Sequence, residues 1–237
     1  MYNKKLMALV ICALIIAGAW MAAPTAGYEE GGYVYNRGEE RFIDNVYNFL
    51  KHFSYEQYYW CQSWLFNTSN NYYVDAMDFS YYSGHGNNYY LGMGPGASTS
   101  GVNLNTDPNT RWGDRDLEFV VFQSCQVIPS AYDRSDWWQA WVPNGIFQGL
   151  HQAIGYRTNS YSGNGISNNY GSRIASGQRV WRAWFDAVND ERSWWMGSFY
   201  PGYASAMMHP DAEQDTYYSF CADPPAGHGS LRNWYQY

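Results

Sequence analysis

Apolar residues recur along this chain with two distinct periods. From Glu39 to Phe53 they fall at three- and four-residue steps (Phe42, Ile43, Val46, Phe49, Leu50), the pattern of an amphipathic helix. The same spacing returns from Ser172 to Asp190 through Ile174, Val180, Trp181, Trp184, Phe185 and Val188. A third helical segment is predicted over Ser130 to Leu150, broken at Pro143-Asn-Gly145. Between these lie short β-branched and aromatic runs of strand length: Tyr33-Val-Tyr35, Asp75 to Gly86, Tyr89 to Met93, Glu118 to Ser124, His151 to Thr158 and Tyr203 to Met208. Tyr55 to Phe66 fits either a strand or an aromatic loop. Gly94 to Arg115 and Asn159 to Gly171 read as loops, the first long enough to suggest a functional flap. Strand and helix in alternation predict an α/β domain, its parallel strands covered by helices on both faces. Nothing repeats and no second core is visible, so residues 27–237 are expected to form one domain.

The first residues change that picture only at the edge. A cationic start over Met1 to Lys5, an apolar run from Leu6 to Trp20 and small residues up to Ala26 match a secretory signal peptide over residues 1–26. The alternative, an uncleaved anchor, needs ~20 apolar residues to span a bilayer, and this run is shorter. The expectation is a protein secreted to the extracellular space or the cell surface, with no membrane contact once the signal is cleaved. A net charge of −7 without a Lys/Arg cluster excludes nucleic acid as a natural partner. Aromatics make up 20% of the chain and charged residues only 15%, so rings either fill the core or coat the surface, where they would serve peptide, glycan or subunit contacts.

The chemistry gathers on two of the apolar runs. Asp75-Ala-Met-Asp-Phe-Ser-Tyr-Tyr-Ser-Gly-His85-Gly86 and Asp116-Leu-Glu-Phe-Val-Val-Phe-Gln-Ser124-Cys125-Gln126 each end on a reactive side chain. Reactive groups collect past the carboxyl ends of parallel strands, so neighbouring strands would bring His85 and Cys125 to one edge, as cysteine nucleophilic catalysis requires. Beyond the signal, Cys61, Cys125 and Cys221 remain, an odd number for an oxidising compartment. One division bridges Cys61 to Cys221 and leaves Cys125 as a free thiol; the sequence leaves the pairing open.

These residues carry a resemblance. An apolar block ending in Ser-Gly-His85-Gly86, followed by a second ending in Gln-Ser124-Cys125, is similar to the caspase, legumain, gingipain and clostripain group of cysteine peptidases. Together with Trp112-Gly-Asp114-Arg-Asp-Leu-Glu118 and Gly149-Leu-His151-Gln-Ala-Ile-Gly-Tyr156, they resemble an uncharacterised prokaryotic family of exported caspase-like domains over most of the chain. The resemblance implies a caspase-like three-layer α/β/α sandwich, with Cys125 as nucleophile, His85 as general acid/base, and Gly86 and Cys125 N–H groups as the oxyanion hole. A peptide or protein substrate follows from it. Gln126 stands where such enzymes carry a small residue after the thiol.

Around this pair, Ser124, Asp114 and His151 are candidate substrate-binding residues. Asp75, Asp78, Asp114 and Asp116 would either select a basic side chain or cap turns. Asn67-Thr-Ser69 is a glycosylation sequon. The Asn/Asp/Gly loops 103–116 and 159–171 offer hard oxygen ligands for Ca²⁺ without the spacing of an EF-hand; no other cofactor or metal is expected. A second reading stands beside the peptidase: a non-catalytic extracellular structural or adhesive module, self-assembling or glycan-binding through its aromatic surface.

Overall fold

The computed structural model describes residues 28–36, 38–94, 101–142, 145–192, 201–227 and 230–237. Its centre is a seven-stranded sheet of β1 (Glu30–Val34), β2 (Glu56–Trp60), β3 (Phe79–Ser83), β7 (Phe119–Gln123), β8 (Gln152–Tyr156), β9 (Ala204–Met208) and β10 (Arg232–Tyr235). The strand order is β10-β9-β8-β7-β3-β1-β2. The pairings from β2 through β8 are parallel; β9 and β10 join antiparallel at one edge. Central strands buried on both faces explain why β3, β7 and β8 are continuous apolar runs rather than alternating ones. Three short strands, β4 (Gly86–Asn87), β5 (Tyr90–Gly92) and β6 (Gly101–Asn103), form a separate antiparallel ribbon.

The protein is an α/β/α sandwich with three unequal layers. One face of the sheet carries the three α-helices of the described residues: α1 (Glu40–Leu50), α2 (Asn164–Ala175) and α3 (Val180–Asp190). Phe42, Val46, Phe49 and Leu50 of α1 meet Phe79 and Tyr81 of β3, and Phe49 stacks on Tyr81 at 4.3 Å. Gly32 is what lets α1 lie so close, since a Cβ there would overlap Val46 and Leu50 side chains. The opposite face (Tyr33, Tyr82, Val120, Phe122, Ala153, Met207) is covered by 3₁₀ turns over Ser63–Leu65, Asn70–Tyr72 and Val74–Ala76, by the small ribbon, and by segment 127–150.

Several elements differ from their sequence-based expectation. Residues 131–142 form turns, not a helix, with Trp141 buried, and beyond them Ile146, Phe147 and Leu150 are buried; a Trp112–Phe147 bridge ties this stretch to the segment before β7. Of the three Trp on a helical spacing only Trp141 is buried, while Trp138 is exposed, so the periodicity here does not mark a helix face. The expected helix 172–190 is two helices parted at Gly177, whose φ of +83° breaks the run, and α2 starts inside the stretch expected to be a Ser/Asn/Gly loop. Segment 101–117 is no free flap: Val102, Leu104 and Trp112 are buried. Residues 95–100 lie outside the described residues, as does the expected signal peptide. Among the described residues no helix is long and apolar enough to cross a membrane.

Candidate active site at the carboxyl rim of the sheet

The register of β3 against β7 pairs Ser83 with Gln123. His85 and Cys125 each follow two residues further on, just past the carboxyl ends of these two neighbouring strands. Phe79 and Tyr81 of β3 and Phe119 and Val121 of β7 face the helices, and His85 meets Phe42 of α1 on that side.

A buried polar network lies directly beneath them. Asn45 of α1 donates from Nδ2 to Ser83 Oγ (3.0 Å) and to Ser162 Oγ (2.6 Å). Tyr81 donates to Gln123 Oε1 (2.7 Å), and Gln123 Nε2 donates to the Gly163 carbonyl (3.1 Å). These bonds clamp loop 159–163 over the rim, and the loop in turn holds the sulfur: the Ser160 N–H donates to Cys125 Sγ at 3.4 Å, with Ser160 O and Oγ at 3.7 and 3.8 Å. Sequence reading missed Asn45, Gln123 and Ser160. The available signal was a polar Ser83 and Gln123 at inward positions of otherwise apolar strands.

The His85 ring stands edge-on to Tyr35 and Phe42, 4.9 and 5.1 Å between centroids, and its side chain is 53% exposed. Its Nε2 faces two opposite partners, Arg41 Nη2 at 3.3 Å and Glu39 Oε1 at 3.4 Å. Arg41 can only donate and Glu39 only accepts when ionised, so neutral and protonated imidazole each find a partner there. Partial burial works against the Glu39 charge, but Arg41 and His85 together hold its carboxyl below the usual range. Neither His85 nor Cys125 hydrogen-bonds the other; each side chain is engaged by its own neighbours. Two clefts open among neighbouring residues, and neither is lined by His85 or Cys125. One of about 540 Å³ is lined by Asn88, Gln126, Asp133, Arg134, Arg157, Thr158 and Asn159, the other of about 330 Å³ by residues including Arg41, Asp44, Tyr161 and Glu191.

The turn beside the thiol is strained. Gln126 has φ +57°, a left-handed conformation that side chains rarely adopt, and its N–H is tied to the Thr158 carbonyl at 3.0 Å. Gly86 pairs with Leu91, while the Gly92 N–H donates to the His85 carbonyl at 2.8 Å. By the alternation of an antiparallel ladder, the Gly86 N–H then faces away from β5.

A family model described as a domain of unknown function, DUF6345, matches residues 25–230. The chain belongs to the DUF6345 family. The match includes both His85 and Cys125, and with them every strand of the sheet except β10. No curated protein matches the chain.

The DUF6345 fold leaves several candidate residues elsewhere. His151 precedes β8 and is fully buried at the amino rim, the far end of the sheet from Cys125. Asp114 also lies at that rim: it bonds Asp75, which accepts the Gly113 N–H and whose carboxyl is pushed up by burial and by Asp114. Neither can line a cleft at the carboxyl rim. Ser124 is adjacent to the thiol but 1% exposed, on the opposite sheet face, packed under Gly86. The bridge between Cys61 and Cys221 does not form. Cys61 is buried just past the carboxyl end of β2, where its N–H donates to Val34, whereas Cys221 sits beside His151 at the amino rim; both are free, as is Cys125. Asn67 is half-buried, its Nδ2 donating to Asp107 at 2.7 Å, a bond that a glycan on this nitrogen would displace.

The amino rim is lined with acids. Burial first, then Asp78, pushes the Glu30 carboxyl up to about 8, and burial pushes Asp78 up to about 6. Glu118 rises to about 9 through burial, with Asp78 and Asp116 adding to it.

Proposed function

We propose that this chain is a cysteine-dependent peptide-bond hydrolase in which Cys125 is the nucleophile and His85 the general acid/base. What supports the reading is that β3 and β7 are adjacent parallel strands whose last paired residues, Ser83 and Gln123, stand two positions before His85 and Cys125. Bringing imidazole to sulfur requires rotation of side chains that now contact Glu39, Arg41 and Ser160, and the half-exposed His85 has room for it. Catalytic hydrogen bonds are commonly loose before substrate binds. The thiolate would attack the scissile carbonyl, His85 would hold the thiol proton and return it to the leaving amine, and the Gly86 and Cys125 N–H groups would receive the oxyanion.

The test pairs a fluorogenic peptide library with a thiol-directed covalent probe on wild type, Cys125→Ala and His85→Ala. Loss of turnover and of labelling at residue 125 in both variants is expected; turnover or labelling unchanged in Cys125→Ala ends the proposal. A second reading, an extracellular contact module, is favoured by one observation: the edge strand β2 exposes Tyr58 and Trp60, and Tyr47, Tyr55 and Tyr72 are exposed as well. Electron microscopy of the purified protein separates the two, since ordered assemblies from an inactive protein would support the contact role and monodisperse particles would count against it.

A further inference from the structure

At the amino rim, away from Cys125, three side chains of different chemistry converge. His151 Nδ1 lies 2.7 Å from Asp215 Oδ2 and 3.7 Å from Cys221 Sγ, and that sulfur is 3.6 Å from the same carboxylate oxygen. Asp215 and Cys221 come from one tight loop, closed by the Thr216–Ser219 bridge and by the Cys221 N–H donating to Asp215 Oδ1 at 3.1 Å. His151 comes from the base of β8, so the cluster joins the tail to the central sheet.

The geometry points to a divalent transition-metal site, with His151 Nδ1, Asp215 and Cys221 as ligands to an ion of zinc type. Tetrahedral Zn²⁺ with one N, one O and one S ligand places its donor atoms about 3.3–3.6 Å apart. Two of the three edges are already there, and the third opens by roughly half an ångström when an ion replaces the hydrogen bond.

The proton inventory supplies the second argument. His151 is 0% exposed, and its Nε2 has no hydrogen-bond partner; the nearest anion is Asp223 Oδ1 at 3.9 Å. A neutral imidazole carries one N–H and faces carboxylates on both nitrogens, so one lone pair would point at a negative charge. Metal on Nδ1 and a proton on Nε2 resolves both, and an outer carboxylate on the second nitrogen is the usual companion of a metal-bound histidine. Glu118, whose main-chain carbonyl accepts from the His151 N–H, also buries an Oε2 with no partner at this rim.

The arrangement is not that of a second catalytic triad. A nucleophilic thiol would use one ring nitrogen and its orienting carboxylate the other, whereas Asp215 and Cys221 crowd the same nitrogen. Burial first, then Asp215, pushes the Cys221 thiol up to about 12, so the metal-free site holds a protonated, unreactive sulfur. Metal binding displaces that proton and forms the sulfur–metal bond, fastening the tail where a disulfide is absent.

The experiment uses the full chain, purified without an affinity tag and stripped with chelator. Titration with Co²⁺ should give one ion per chain and a thiolate-to-cobalt charge-transfer band. Zn²⁺ should shield Cys221, and not Cys125, from iodoacetamide, read by peptide mass spectrometry on the wild type so that no variant need fold. Cys221→Ser should remove the band, Cys125→Ala should keep it, and Asp223→Asn should weaken binding by about 10–100-fold. A folded wild type that binds no Co²⁺, binds it without a thiolate band, or leaves Cys221 equally alkylated with and without Zn²⁺ overturns the proposal.

Discussion

Ser124 and Gly86 meet beneath the two reactive side chains with no space for another atom. A Cβ on Gly86 would overlap Ser124 Oγ and lie 2.8 Å from the Tyr90 carbonyl and from Val127 Cγ2. Gly86→Ala should therefore displace β4 from the rim, lowering stability by about 1–3 kcal/mol in urea unfolding and abolishing labelling of Cys125 by the thiol probe. At Gln126 the opposite change is favourable. Glycine adopts φ +57° without strain, so Gln126→Gly should be neutral to stabilising by up to about 1 kcal/mol, read as a rise in the urea midpoint. Asn45 holds both Ser83 and the loop over the thiol, and Asn45→Ala should cost about 1–3 kcal/mol by leaving buried groups unpaired. Probe labelling of Cys125 should then change in rate without being lost. His85 and Cys125 were legible as residues, from the Gly and Ser around them at the ends of apolar runs. Asn45 and Ser160 were not, because a side chain that acts by bonding across 38 or 35 positions leaves no local pattern.

The strands β1, β3 and β7 begin on acids, and that is a property of the elements rather than of any one residue. Glu30 opens β1, Asp78 precedes β3, and Glu118 precedes β7, so three carboxyls share the amino rim. Glu30 is 2% exposed and its Oε2 lacks a partner. Its folded pKa of about 8 lies above the unfolded value of 4.5, so the folded state binds more protons between them. The contribution of Glu30 is thus complete below pH 4.5 and is lost as pH rises through about 8. Asp78 acts in the same direction, ending near pH 6. Melting temperature should fall between pH 5 and pH 8, and Glu30→Gln should flatten that fall, raising the melting temperature at pH 8 by about 2–4 °C for each kcal/mol recovered. An unchanged pH profile in Glu30→Gln would show that this carboxyl is ionised in the fold. The elements themselves were mostly readable: α1, β3, β7, β8 and β9 sit where periodicity put them. The turns over 131–142 were not, since Trp141 is held in the core by the sheet face it covers while Trp138 stays exposed, so their helical spacing is incidental.

At the scale of the whole molecule, the tail closes the sheet. β10 pairs with β9, Trp234 stacks on Trp181 with 5.6 Å between centroids, and Gln236 accepts from Ala204 and donates to Phe185 O. Removing residues 231–237 should bare the β9 edge, lowering the melting temperature by several degrees and producing concentration-dependent aggregation by light scattering. β10 was unforeseen because a four-residue strand with a half-exposed pattern has no signature apart from its partner. Aromatic abundance proved to serve both core and surface. Tyr33, Tyr81, Tyr82, Tyr156 and Tyr170 are fully buried while Tyr72, Tyr132 and Tyr237 are exposed, a division set by which face of which element each ring lands on.

Hydrophobic period and the residues that end each run determined, from the sequence alone, an α/β domain, its principal strands, and a histidine and a cysteine at the ends of two of them. Only the tertiary structure decided that these strands are neighbours, that the helices of the described residues share one face, and that His151 and Cys221 meet at the opposite rim. Periodicity is a local property that each segment carries in its own side chains. Which strands pair, and which distant loops fold over them, depends on surfaces that exist only once the chain has packed.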